Sequence, residues 1–395
     1  MISFSEAQRL VFEQSQSFGK VSVSIDDATG RVIAEKIVAD RNYPPFNRAA
    51  MDGFAIKHAD WDTGIRTFVI RETIFAGSIS TGELQQGECY KIMTGAAVPG
   101  SADTIIKRED VVEQPHAIEC RIEELKKSQH ISKQGEDLAK DEAVWDRPLI
   151  CTMPVIGLLA ALGKDQVMVE KLPDVSIIST GNEVVTVRDA VNPVQIRNSN
   201  TYVLQALFEK WHITPRSNVH VPDNVNEIEA AVRSATSGDI IIMCGGVSAG
   251  DADHVPAVLT NLGAQKIFHK VAIRPGKPIW FGRFPNGPII FGLPGNPFSC
   301  MVTWKLFVEQ YLSYCFGLGA TPRLNLPLTE GRLKKNGLDE FFPVRITGSP
   351  SHYQIVPFNG SGDVTAALHA DALAVHPATL HDLSPGTIVE GYPLS

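Results

Sequence analysis

The chain lacks cysteines paired for chemistry, long apolar runs and any excess of positive charge. Its six cysteines, Cys89, Cys120, Cys151, Cys244, Cys300 and Cys315, form no C-x-x-C, and no His–Cys cluster has the spacing of a zinc site. At 395 residues the chain is far too long for a disulfide-held mini-scaffold, so reduced thiols in a cytoplasmic protein are expected. No stretch approaches the roughly 20 apolar residues of a membrane span. The N-terminal MISFSEAQRLVFEQ has neither the basic start nor the unbroken apolar core of a signal peptide. It reads instead as an amphipathic helix with Phe4, Ala7, Leu10 and Val11 on one side. A net charge of −8 argues against a general nucleic-acid binder, which needs a basic face, so neither nucleic acid nor membrane is an expected partner. The most telling absence is local. From His254 through Val308 there is no Asp or Glu, where average composition predicts roughly six. The same window carries Lys266, Lys270, Arg274, Lys277, Arg283 and Lys305, a basic island in an acidic protein.

What is present is ample core material. Hydrophobic residues make up 44% and charged residues 20%, which excludes disorder, and the length predicts two to four domains at about 150 residues each. Residues 45–138 alternate short apolar runs with Gly-rich turns (RTFVIRETI, GECYKIM, DTIIKRE, AIECRI), the pattern of a mostly-β domain. Helical character returns in PVIGLLAALGK, so this domain reads as an insertion into a discontinuous N-terminal domain of residues 1–44 and 139–172. Residues 173–321 alternate buried strands (VSIIST, DIIIMC, IIFGLP) with helices, which predicts a doubly wound, parallel α/β sheet. Residues 322–395, rich in Pro and Gly with short strands, predict a small C-terminal β domain. The expected fold class is multidomain α/β plus β.

Chemistry-bearing residues gather after strand ends, where open α/β sheets bind ligands. In GGVSAGDAD (Gly245 to Asp253), Gly245 and Gly246 allow close approach of backbone amides. Ser248 can donate to a phosphate, and Asp251 and Asp253 can hold a bridging cation. A Gly-rich turn with a capping aspartate reads equally well. Glu183 in TGNEV and Asp223 in VPDN follow two other strands. Each alone fits a helix cap or a solvated charge. Together with Asp253, acids from separate loops can converge on a divalent cation, and all-oxygen donors favour Mg²⁺. In the basic island, the prolines of RPGKP and GLPGNP fix loops that present groups rigidly, and Arg274 and Lys277 supply paired cations suited to an oxyanion. No carboxylate near them in sequence neutralises them. In the inserted domain, Asp52 (AAMDGF) and Thr94 (KIMTGAAVP) each sit beside glycine, and QGED, ending at Asp137, adds a third such turn. A plain β-turn explains any one of these.

These motifs, with NGSGD, lie in this order between residues 49 and 363, and together they resemble the molybdopterin molybdenumtransferases. The GGVSAGDAD loop alone also looks like the molybdopterin adenylyltransferases, which have only the α/β domain. The resemblance implies an enzyme that takes adenylylated molybdopterin and molybdate, releases AMP with Mg²⁺, and inserts molybdenum into the dithiolene. It implies an elongated homodimer supplied by a separate molybdopterin adenylyltransferase. Carried over motif by motif, Glu183, Asp223 and Asp253 look like the acidic pterin-nucleotide and Mg²⁺ region. Lys270, Arg274 and Lys277 look like the basic side. Pro294 and Pro297 would shape a molybdate pocket, closed by Ser361, and Asp52, Thr94 and Asp137 match functional positions of the inserted domain.

The chain departs from the family pattern at three points. Ala49 stands where a serine is common, Ser132 replaces an arginine with Lys133 adjacent, and Pro343 falls where an arginine is expected, with Arg345 two residues on. Two other functions remain open: a dimeric scaffold of the same fold, since relatives of it cluster membrane receptors in animals, and a pterin-nucleotide hydrolase without metal insertion.

Overall fold

A computed structural model describes residues 1–247 and 254–394. The chain divides into two compact units, Met1–Ala34 with Pro148–Ile156 and Gln166–Ser395, and Glu35–Arg147 with Gly157–Asp165.

The larger unit is built on a six-stranded sheet in the order Ser217–Val221, Val175–Thr180, Ile240–Cys244, Ile289–Leu293, Trp280–Arg283, Gln265–His269. The first four strands are parallel. The three central ones are buried along their whole length, which is why VSIIST, IIIMC and IIFGL read as near-continuous apolar runs. Their side chains still alternate between faces. Ile177, Ile242 and Phe291 join a core with Leu204 and Phe208 of the helix Asn200–Glu209. Ile178, Ile241 and Ile290 join another with Val232 of Val225–Ala235 and Leu259 of Val255–Asn261. Helices on both faces make the sheet doubly wound. The last two strands run antiparallel to their neighbours. No helix joins them; residues 270–279, which carry RPGKP, make the connection.

A four-stranded sheet, Lys20–Ser24, Gln166–Glu170, Val32–Ile33 and Leu149–Ile150, draws on segments before and after the inserted stretch. The first helix, Phe4–Phe12, is capped by Ser3, whose Oγ accepts from the Glu6 amide at 3.2 Å. It buries Phe4, Ala7 and Val11. The C-terminal sheet runs Ile273–Arg274, Asp339–Thr347, Ala372–His376, Ile388–Pro393, Leu324–Pro327, with His352–Ile355 also paired to Asp339–Thr347. Alternation again divides it. Phe341, Leu373 and Tyr392 pack into the main core, and Phe342, Val344 and Ala374 form a core of their own with Tyr353. Its edge strand Ile273–Arg274 is lent by the α/β domain, which ties the RPGKP loop to the C-terminal domain.

The smaller unit holds a mixed six-stranded sheet in the order Thr104–Lys107, Gly53–Ile56, Glu88–Ile92, Thr67–Ile74, Ala117–Cys120, Val111–Glu113. Phe54, Phe68 and Ile106 fill one side, and Ala55, Tyr90 and Ile105 the other. Among the described residues no helix is long and apolar enough to cross a membrane.

Candidate functional site

At the carboxyl ends of the parallel strands a cavity of about 570 Å³ is lined by Thr180, Gly181, Glu183, Asn198, Asn200, Asp223, Gly245, Gly246, Pro294, Asn296 and Pro297. Two of the expected acids are therefore together. Their loops are latched: Asn182 N donates to Asp223 Oδ2 at 3.2 Å, and Asp223 N donates to Asn182 Oδ1 at 3.0 Å. Asp223 thus spends one oxygen on structure. The glycine pair is sterically required. Gly245 and Gly246 have φ of 92° and 64°. A Cβ on Gly245 would sit 2.7 Å from Thr180 O, and one on Gly246 would sit 2.8 Å from Thr180 Oγ1. Ser248, Asp251 and Asp253 lie outside the described residues. Among those described, no three acidic, histidine or cysteine side chains gather as a metal cluster.

A second cavity, of about 640 Å³, lies between the RPGKP loop and the C-terminal sheet and shares Pro278, Pro294 and Asn296 with the first. Five cations line it: Arg274, Lys277, Arg332, Lys334 and Lys335. The loop is held closed by Lys270 N donating to Ile279 O (2.9 Å) and Val271 N to Lys277 O (3.0 Å). Lys270 has φ of 70°, and a Cβ on Gly276 would meet Thr303 Cγ2 at 2.5 Å. Lys270 does not line the cavity with Arg274 and Lys277. Ser361 reaches the same place from the C-terminal domain. Its Oγ accepts from Asn296 Nδ2 at 2.9 Å, and its carbonyl accepts from the amides of Phe298 and Ser299 at 3.1 and 3.3 Å.

The basic island does have a carboxylate, brought from far along the chain. Glu340, buried in the C-terminal sheet, lies 3.6 Å from Arg274 Nη1 and 2.5 Å from Arg332 Nη2, and accepts from Asn336 Nδ2 at 2.6 Å. Burial works to raise its carboxyl, but the hydrogen bonds from Asn336 and Arg332 and the two nearby arginines outweigh it and hold it below the usual range. His376 accepts from Arg332 at Nδ1 (3.0 Å); burial, then Arg332 and Lys334, push it down to about 4. Lys334 spends its ammonium on the carbonyls of Leu338, His376 and Pro377. Among the described residues, one acid therefore faces five cations, and the cavity is suited to a small anion.

In the smaller unit Asp52 and Thr94 meet. Asp52 Oδ1 accepts from Thr94 Oγ1 at 2.6 Å and from Thr94 N at 2.7 Å. The side-chain bond, then the backbone one, hold the Asp52 carboxyl below its ordinary value. Asp137 stands apart in the QGED turn, its amide donating to Tyr43 O at 3.0 Å.

Three family models match the chain: the MoeA N-terminal region (domain I and II) over residues 2–163, the probable molybdopterin binding domain over 176–314, and the MoeA C-terminal region (domain IV) over 325–394. A protein of Staphylococcus epidermidis named molybdopterin molybdenumtransferase is 31% identical over 98% of this chain and 94% of its own. The chain belongs to the molybdopterin molybdenumtransferase family. A protein of the same name from Staphylococcus aureus matches with the same identity and coverage. The crystal structure of a molybdopterin biosynthesis moeA protein from Pyrococcus horikoshii OT3 superposes with a TM-score of 0.84 at 26% identity, covering 99% of both chains.

The family's departures also have places in the structure. Ser132 lies opposite Arg48 in a two-stranded pairing, and Ala49 is buried beside Arg48. Pro343 sits mid-strand opposite Leu373. Arg345 donates from Nε to His369 O at 3.1 Å and does not line the basic cavity. Arg332 does line it. Sequence reasoning missed Arg332, Glu340, Asn296 and Ser299. The run Arg332-Leu333-Lys334-Lys335 was the one visible signal, a second basic cluster beyond the acid-free window.

Proposed function

We propose that this transferase-family member inserts molybdenum from molybdate into adenylylated molybdopterin, with Mg²⁺-dependent release of AMP. The observation that carries the reading is the meeting of two unlike cavities. A glycine-rich, acid-bearing one and a cation-rich one share Pro278, Pro294 and Asn296. A pterin nucleotide in the first would then lie next to an oxyanion in the second.

Glu183 and Asp223 offer the hard oxygen donors that Mg²⁺ takes, and in this reading Asp251 and Asp253 complete the set. Bound there, the ion would neutralise phosphate charge. The amides after Gly245 and Gly246 receive the phosphate, and Ser248 donates to it. Lys277 and Arg274, with Arg332, hold molybdate, while Pro294 shapes its pocket and Ser361 closes it; Pro297 borders the neighbouring, acid-bearing cavity instead. Lys270 keeps the RPGKP loop in its turn. Holding a dianion beside the scissile phosphoanhydride supplies proximity and charge stabilisation rather than covalent chemistry. Asp52 and Thr94 act as one unit in the inserted domain, and Asp137 contributes separately. We further read the protein as a cytoplasmic homodimer of four-domain subunits, divided as the sequence suggests and supplied by a separate adenylyltransferase.

Variants separate the two cavities. With adenylylated molybdopterin and Mg²⁺ supplied, Asp223→Asn should lower AMP release at saturating molybdate. Lys277→Ala should raise the molybdate concentration needed for half-maximal turnover. If neither variant alters turnover, the site is misplaced.

A further inference from the structure

Beneath the cleft lie two thiols that the transfer chemistry does not use. Cys244 ends the central strand Ile240–Cys244, immediately before Gly245, and Cys300 lies in the helix Pro297–Thr303 that follows GLPGNP. Their Sγ atoms are 3.8 Å apart, in hydrogen-bonding contact, and both side chains are buried. Cys244, but not Cys300, forms part of the lining of the 570 Å³ cavity. Asn200 Nδ2 donates to Cys244 Sγ at 3.3 Å and to Gly295 O at 2.7 Å, so one side chain joins the sulfur to the GLPGNP loop.

We propose that Cys244 and Cys300 are a redox-modification site, in which a hydroperoxide entering the cleft converts the pair to a disulfide that alters the cleft floor. The arrangement orders the steps. Cys244 meets the oxidant first because it alone of the two borders the cavity. Its thiolate attacks a peroxide oxygen; the S–O bond forms as the O–O bond breaks, and the departing hydroxide takes up the thiol proton as water. The sulfur of Cys300 then attacks Cys244 Sγ. The S–S bond forms, the S–O bond breaks, and the hydroxyl leaves as water with the Cys300 proton. Two thiols and one hydrogen peroxide give one disulfide and two waters, a two-electron oxidation of sulfur.

The same geometry links the bond to the cleft. A disulfide needs the sulfurs at about 2 Å, so one or both must close the present 3.8 Å gap. Asn200, bonded to both Cys244 Sγ and Gly295 O, couples any shift of that sulfur to the GLPGNP loop, and the strand end and the Pro297–Thr303 helix become covalently joined. Donation from Cys300, then from Asn200, favours the thiolate at Cys244 against the cost of burial.

The chemical step stands apart from the proposed transferase activity and is tested first. The full-length protein is treated with an equimolar amount of hydrogen peroxide, then alkylated, digested and mapped by mass spectrometry. A Cys244–Cys300 cross-link, with loss of two hydrogens from the intact mass and reversal by dithiothreitol, is the expected result. Cys300→Ser should lose the cross-link and leave Cys244 as a sulfenic acid trapped by dimedone. Both thiols unmodified while Cys120 oxidises, or Cys244 driven to sulfinic acid in the unsubstituted protein without a cross-link, would overturn the proposal. In a second arm, peroxide should abolish AMP release by the unsubstituted protein and dithiothreitol should restore it. A mapped cross-link with undiminished AMP release would overturn the coupling to the cleft.

Discussion

Glu340→Gln separates the two jobs that Glu340 performs. The amide keeps the shape and one acceptor oxygen but removes the only carboxylate among the described residues lining the basic cavity. Arg274 lies 3.6 Å from it with two-thirds of its side chain exposed, so the pair is worth only about 1 kcal/mol in a water-like dielectric. Arg332 is different: its contact with Glu340 is short and shielded, and removing the charge there should cost about 1–3 kcal/mol of folding stability. For an entering dianion the sign reverses. The cavity loses a repulsive charge, and Arg274 is released from its competitor. Molybdate affinity should therefore rise by about fivefold, the equivalent of about 1 kcal/mol. Isothermal titration with molybdate alone reads the affinity, and urea unfolding reads the stability. A folded Glu340→Gln protein that binds molybdate no better than the parent, or more weakly, refutes the view of Glu340 as a counter-ion that molybdate displaces.

Other expectations follow from single contacts. Gly246→Ala combines a φ of 64° with a Cβ 2.8 Å from Thr180 Oγ1, and should cost about 1–3 kcal/mol in urea unfolding together with loss of turnover. Asp52→Ala breaks both hydrogen bonds and Thr94→Ala only the side-chain one, so the double variant should be little worse in AMP release than Asp52→Ala alone; additive losses would separate the two residues. His376 has a folded-state pKa pushed down from 6.5 to about 4, so the unfolded chain takes up its proton first as pH falls. Its contribution should be complete above about pH 6.5 and be lost between there and about pH 4. In His376→Asn the urea midpoint should fall less steeply over that interval.

The sequence was most legible where local pattern and packing agree. VSIIST, IIIMC and IIFGL announce buried strands because both their faces are covered, and the breaks after Thr180 and Cys244 mark where loops form the cleft. The antiparallel edge was harder to see, since a strand's direction depends on its connection, and residues 270–279 look like any Pro-Gly loop. The acid-free window pointed to the basic cavity but misjudged its neutralisation. Glu340 is 66 positions beyond Arg274 in the chain and reaches it only because Ile273–Arg274 adds as an edge strand to the C-terminal sheet. Arg332 was hidden for the same reason. Asp52 and Thr94 come together because Gly53–Ile56 and Glu88–Ile92 are neighbouring strands, a pairing that no spacing along the chain encodes.

The most direct test of transfer is a single-turnover reaction with adenylylated molybdopterin, Mg²⁺ and molybdate, measuring AMP released and molybdenum bound to the pterin in the same sample. Equal amounts of both, with molybdenum incorporation dependent on molybdate, is the result the two joined cavities predict. AMP release without molybdenum in the pterin would contradict it and leave a hydrolase.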